Sequence, residues 1–246
     1  MLALALLALL ALAGKAWSDT MAQPRVRRTE VALPGLATPV RIALISDIHV
    51  AGPDMPPDRL ERIVAQINAL EPDLVLIAGD LVSEKRLATH IYAPAEVVAP
   101  LGSLDAPLGV MAVPGNHDHW FDMPALAAEL RRHGVVLLAN QARRAGPLVI
   151  GGLDDDYTGR ADLPATLAAM DTLPGARLLL SHSPDPFPDL PRSVPLMLAG
   201  HTHCGQIAYP GAARPHTCRT MATATPADAS RRMARPLSWA PASAPA

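Results

Sequence analysis

The stretch Arg41-Ile42-Ala43-Leu44-Ile45-Ser46-Asp47-Ile48-His49 decides the fold. A short apolar run enters a polar turn that carries a carboxylate and an imidazole, which reads as a buried strand ending in chemistry-bearing residues. The same figure recurs downstream. Leu74 to Ala78 runs into Gly79-Asp80, Gly109 to Val113 precedes Asn116-His117-Asp118, Arg177 to Leu180 precedes His182, and Leu196 to Ala199 precedes His201 and His203. Further strands are expected at Val135–Leu138 and Leu148–Gly151. Between the runs, Leu60, Ile63, Val64, Ile67 and Leu70 recur at helical spacing, with Asp58 after Pro56-Pro57 as a candidate cap. Asp122 to His133 sets Leu126 and Leu130 on one helical face, and another helix is expected near Leu163–Met170. Strands alternating with helices predict an α/β domain.

Each polar cluster lies just past the C-terminal end of an apolar strand, the edge at which α/β sheets bind ligands. Clusters far apart in sequence are therefore expected to converge. A histidine alone is more often a hydrogen-bonded structural residue, and an aspartate after a strand is often a turn or cap. The joint pattern carries the weight. Asp, His and Asn offer oxygen and imidazole donors suited to Zn, Mn, Fe or similar ions. No thiolate is needed, so a structural cysteine-type zinc site is not indicated. Two ions held about 3.5–4 Å apart need a shared anion, which one carboxylate can supply. In an extended segment His201 and His203 send their side chains the same way, one imidazole for each ion. Gly200 ahead of them lets the backbone turn closely against the site. Water held between two such ions becomes a nucleophile near neutral pH, and the ions neutralise charge on phosphoryl oxygens.

The series Ser46-Asp47-Ile48-His49, Gly79-Asp80, Gly115-Asn116-His117-Asp118, Ser181-His182-Ser183-Pro184 and Gly200-His201-Thr202-His203 resembles the calcineurin-like metallophosphoesterase superfamily. The resemblance runs in order from about Arg41 to Tyr209. It implies an α/β sandwich of two β-sheets flanked by helices, and two divalent metal ions. It implies Asp47, His49 and His203 on one ion, Asn116, His182 and His201 on the other, and Asp80 bridging. His117 then stands outside the ligand set as the residue that faces the phosphate and protonates the leaving oxygen. Asp118 either orients His117 or caps its loop, and Glu84 is the candidate for the acidic partner that the family often carries after Gly-Asp. His119 and Trp120 either line the substrate mouth or are ordinary surface residues, and Asp154-Asp155-Asp156 reads as a solvated acidic turn. The extension Gly200 to Ile207, with Cys204 where glycine is usual, is similar to membrane-tethered or exported bacterial phosphodiesterases such as UDP-2,3-diacylglucosamine pyrophosphohydrolases of lipid A synthesis. That branch implies a phosphodiester or pyrophosphate substrate, lipid-linked ones included.

Composition bounds the rest. Of 246 residues, 50% are hydrophobic and only 3% aromatic, so the core must be aliphatic. A net charge of -2 gives no global attraction to nucleic acid, and no nucleic-acid partner is expected. Cys204 and Cys218 make no disulfide framework and read as isolated thiols. Residues 1–21 form an apolar anchor or signal remnant. The run Leu2 to Ala13 is itself too short to span a bilayer, which takes about 20 residues. A truncated membrane anchor, a signal h-region and a buried helix all fit it. Lys15, Arg25, Arg27 and Arg28 follow it, which places the next domain on the cytoplasmic side, with export as the alternative. Residues 22–40 read as a linker with an incoming strand, and 41–210 as the metallophosphoesterase domain. Residues 211–246 are rich in Ala, Pro, Ser, Thr and Arg and are expected to be disordered. That tail leaves a second reading open: a catalytically impaired, membrane-tethered protein that binds metal or phosphate.

Overall fold

The computed structural model describes residues 1–85, 87–203 and 221–222. Two sheets lie face to face with helices outside both. The first holds β1 (Ile42–Ile45), β2 (Leu74–Ala78), β3 (Val110–Val113) and β4 (Val136–Leu137), all parallel and in that order. The second runs β5 (Gln141–Ala145), β6 (Leu148–Gly152), β7 (Ala176–Ser181), β8 (Leu196–Ala199) and β9 (Met221–Ala222). Its inner pairs, β6 with β7 and β7 with β8, are parallel, and the outer pairs are antiparallel.

Strand periodicity explains the layers, because successive side chains leave opposite faces. Leu74, Leu76 and Ala78 of β2 point inward and meet Leu148, Ile150, Leu178, Leu180, Leu196 and Leu198 of the second sheet. Val75 and Ile77 point outward, under Leu60, Ile63, Val64 and Ile67 of α2 (Pro57–Asn68) and Leu126 and Leu130 of α5 (Met123–Arg132). On the far side, Val149, Leu179 and Met197 pack with Met170 of α6 (Leu163–Asp171). Strands covered on both faces read as continuous apolar runs, which is why they stand out in the sequence.

The boundaries depart from expectation in particular places. Asp58 is in the first turn of α2 rather than at its cap, which is Pro56; there its charge complements the helix dipole. Asp122 does cap α5, accepting from Ala125 N at 3.1 Å. The Asn116-His117-Asp118 segment is not a loop but the first turn of α4 (Asn116–Phe121). The short helix α3 (Pro94–Val98) and strand β5 were not foreseen; β5 exposes Arg143 and Arg144 and lacks an apolar run.

At the N-terminus, the helix continues past the apolar run. α1 (Leu2–Met21) has 20 residues, about 30 Å of helix. Its Ala3–Met21 window has mean hydropathy 1.3 and none of it is buried, so α1 is long and apolar enough to cross a membrane. Lys15 and Asp19 pair at 2.9 Å within it. Its C-terminal end is held to the domain by Arg59 of α2, whose Nη2 donates to Thr20 O at 2.5 Å and Ala22 O at 3.0 Å. The expected disordered tail, the two cysteines and the extension beyond His203 lie outside the described residues, apart from Met221–Ala222, which pair with Leu196 and Met197.

Candidate metal centre

The C-terminal ends of β1, β2, β3, β7 and β8 open on one place. Asp47 and His49 leave β1, Asp80 leaves β2, Asn116 follows β3, His182 follows β7, and His201 and His203 follow β8. All seven expected ligands are therefore brought together, with His117 beside them. Seven described non-glycine residues have positive φ, and five of them belong to this set: Asp47 (54°), His49 (52°), Asp80 (56°), His201 (67°) and His203 (47°). Such backbone is uncommon outside glycine and collects where function demands it. Gly200 is required for space: a Cβ there would lie 1.7 Å from Ser46 Oγ and 2.9 Å from Asp47 Oδ2.

The donor atoms form three groups, linked through His49 and Asp80. One atom each from Asp47, His49 and His203 lie within 4.8 Å of one another, as do atoms from His49, Asp80 and His117 and from Asp80, His182 and His201. Asp80 Oδ2 is 3.2 Å from His182 Nε2 and 3.6 Å from His49 Nε2, so it stands between the groups. His182 Nδ1 donates to Ala78 O at 2.7 Å and His49 Nδ1 to Val82 O at 3.1 Å. Both Nε2 atoms thereby face inward, the orientation a metal-binding histidine takes when its other ring nitrogen is held by a backbone carbonyl. His49 Nε2 meets His203 Nε2 at 3.1 Å, and His182 Nε2 lies 3.1 Å from both Asn116 Oδ1 and His201 Nδ1. Acceptor atoms converging in this way fit divalent cations of the Zn, Mn or Fe type.

The electrostatics agree. Burial works against ionisation of Asp80, but the hydrogen bond and charge of His182, with His49 beyond, outweigh it and hold its carboxyl at about 2. Burial likewise opposes charge on His182, yet Asp80 raises it to about 9. For His49 burial wins over Asp80 and Asp47, and its pKa falls to about 4. Burial, followed by the charge of His182, also lowers His201. In the metal-free protein one proton therefore sits between Asp80 and His182, where a cation would replace it.

The neighbours divide differently from expectation. Asp118 does not reach the His117 ring. Its buried carboxylate accepts from Asp80 N (2.9 Å), Leu81 N (2.8 Å), Val82 N (3.4 Å) and Gly115 N (3.0 Å), clasping the β2 and β3 loops together. Burial and then the charge of Asp80 raise it to about 6. The partner of His117 is Glu84, whose Oε2 lies 3.2 Å from Nδ1. The acidic turn is not solvated as expected: Asp155 is fully buried and accepts from Thr158 N at 2.8 Å, while Asp154 pairs with His119 at 2.6 Å. Tyr157, not among the expected site residues, has its ring 5.0 Å from that of His201; its place just after the acidic turn beyond β6 is the signal for it in the sequence.

The family model for calcineurin-like phosphoesterases matches residues 40–205, and the chain belongs to that family. A Helicobacter pylori protein named uncharacterized metallophosphoesterase is 31% identical over 208 residues, covering 80% of this chain and 54% of its own length. A Danio rerio protein named transmembrane protein with metallophosphoesterase domain is 31% identical over 205 residues, covering 75% of this chain and 45% of that protein. The chain thus spans about half the length of these relatives. Among solved structures, Haemophilus influenzae NAD nucleotidase aligns with a TM-score of 0.47 at 17% identity, over 67% of this chain and 38% of that one.

Proposed function

We propose that this chain is a two-metal phosphoester hydrolase acting on phosphodiesters or pyrophosphates. The observation that carries the reading is Asp80, whose single Oδ2 faces His182 at 3.2 Å and His49 at 3.6 Å. Asp47, His49 and His203 would hold one ion, Asn116, His182 and His201 the other, and Asp80 both. When bound, such ions supply charge neutralisation on phosphoryl oxygens and activation of water. The chain's own residues do the rest. Glu84 takes the Nδ1 side of His117 and fixes the ring, leaving Nε2 to hand a proton to the leaving oxygen. Asp118 keeps the Asp80 and Asn116 loops in register.

The test is turnover of bis(p-nitrophenyl) phosphate by protein reconstituted with Mn, Zn or Fe. His117→Ala should lower kcat about 100-fold or more while metal content holds, and Asp80→Ala should lose metal as well. Equal small effects from both would refute the roles, and a folded, metal-loaded protein without turnover would favour the impaired binding protein instead.

For placement, we propose that α1 anchors the chain in a membrane with the domain on the cytoplasmic side. Its apolar, unburied window and the basic Lys15, Arg25, Arg27 and Arg28 support this. A lipid-linked pyrophosphate of the UDP-2,3-diacylglucosamine type would lie within reach of such an anchored site. Carbonate-washed membranes should retain the chain and protease should spare the domain in sealed cytoplasm-inside vesicles. Release by carbonate would overturn the anchor.

A further inference from the structure

The chain has only 3 Trp, 3 Tyr and 2 Phe, yet two of these rings stand exposed at the mouth of the metal centre. Trp120 is 53% exposed and Tyr157 60% exposed. They form an unbroken row of rings across one side of the site. His117 and Trp120 are 5.0 Å apart at 75°, Trp120 and Tyr157 6.0 Å at 74°, and Tyr157 and His201 5.0 Å at 44°. The row begins on the proposed proton donor and ends on a proposed ligand.

We propose that Trp120 and Tyr157 are a stacking subsite for a planar aromatic ring of the substrate, a nucleobase or an aryl group. Three physical points support it. Edge-to-face contacts between the two rings leave ring faces over for offset stacking. The rings are braced rather than loose. His119 Nε2 and Asp154 Oδ1, 2.6 Å apart, tie α4 to the turn that carries Tyr157, and buried Asp155 accepts from Thr158 N at 2.8 Å within that turn. Exposed aromatic surface on a braced support is built for contact and gains nothing from the chain's own core. Reach is the third point. The leaving oxygen must come within about 3 Å of His117, and Trp120 is the next ring outward, so an aromatic group a few bonds from that oxygen falls on the row.

The inference rests on the phosphodiesterase reading for its kinetic arm and stands apart from it in its binding arm. For binding, Trp17→Phe/Trp239→Phe full-length protein leaves Trp120 as the sole tryptophan. Uridine monophosphate should quench its emission saturably, and ribose 5-phosphate should not. Equal quenching by both, or by neither, overturns the subsite. For kinetics, Trp120→Ala and Tyr157→Ala should each lower the ratio of kcat/KM for bis(p-nitrophenyl) phosphate or uridylyl-uridine over glycerophosphoglycerol by about 10-fold, the loss of one stacked ring. Trp120→Phe should restore most of it. An unchanged ratio refutes the proposal. If the wild type turns over none of these esters, the phosphodiesterase reading fails, and the quenching result alone decides the subsite.

Discussion

Gly115→Ala is the substitution whose effect the geometry fixes most tightly. Gly115 has φ -112° and ψ 175°, a backbone that alanine adopts without cost. Space is the obstacle. A Cβ there would lie 2.3 Å from Asp80 Oδ1, 2.5 Å from Asp80 N and 2.9 Å from its Cγ. Carbon and oxygen settle near 3.3 Å at closest, so relief takes about 1 Å of separation. Asp80 cannot yield alone. Its N and that of Gly115 both donate to Asp118 Oδ2, and its Oδ1 accepts from His117 N at 2.9 Å. Metal–ligand distances tolerate only about 0.2 Å, so the shared carboxylate leaves its place. Overpacking of this kind costs about 1–3 kcal/mol, which lowers Tm by about 2–12 °C in a chain of this size. A misplacement of about 1 Å costs on the order of 100-fold in turnover. Calorimetry and bis(p-nitrophenyl) phosphate hydrolysis measure both. Gly14→Ala, where a Cβ meets nothing within 4 Å and the residue lies inside helix α1, serves as the control and should lower neither. A Gly115→Ala protein with turnover within about threefold of wild type would refute the placement of Asp80 as the shared ligand, given the factor expected.

Metal binding should be proton-linked. His182 is raised to about 9 and His49 lowered to about 4, so near pH 7 uptake displaces about one proton, from His182, and affinity climbs about tenfold per pH unit until pH 9. Titration calorimetry in buffers of different ionisation enthalpy counts that proton, and a count of zero would contradict the assignment. In the metal-free protein the same pair stabilises the fold fully below pH 6.5, the ordinary histidine value, and that contribution is lost as pH rises through about 9. The apo Tm should fall across that window. Chelation at neutral pH should lower Tm by about 5–10 °C, the linkage for ligand at roughly 100 times its Kd; an unchanged Tm would mean that the centre holds no ion. Glu84→Gln should leave metal content intact and lower kcat about tenfold. Loss of metal instead would make Glu84 part of the centre.

What the sequence made legible follows from physics. β1, β2, β3, β7 and β8 are covered on both faces, so their apolar runs announced them, and the residues at their ends announced the site. β5 was hidden because Arg143 and Arg144 face solvent and its pairing depends on β6 rather than on its own composition. The roles of Asp118 and Asp155 were hidden for a related reason. A buried carboxylate looks like a solvated one until the backbone N–H groups it accepts from are in place. Helix α1 outlasts its apolar run because Lys15 and Asp19 neutralise each other one turn apart.

Two of the three donor groups straddle the two sheets: Asp47 and His49 come from the first and His203 from the second, while Asp80 meets His182 and His201 across the same seam; His49, Asp80 and His117 follow strands of the first sheet alone. A nascent chain exposes Asp47, His49, Asp80, Asn116 and His117 early, yet neither straddling group is complete until His201 and His203 emerge. The ribosome thus releases nearly the whole sandwich before the two straddling groups are complete.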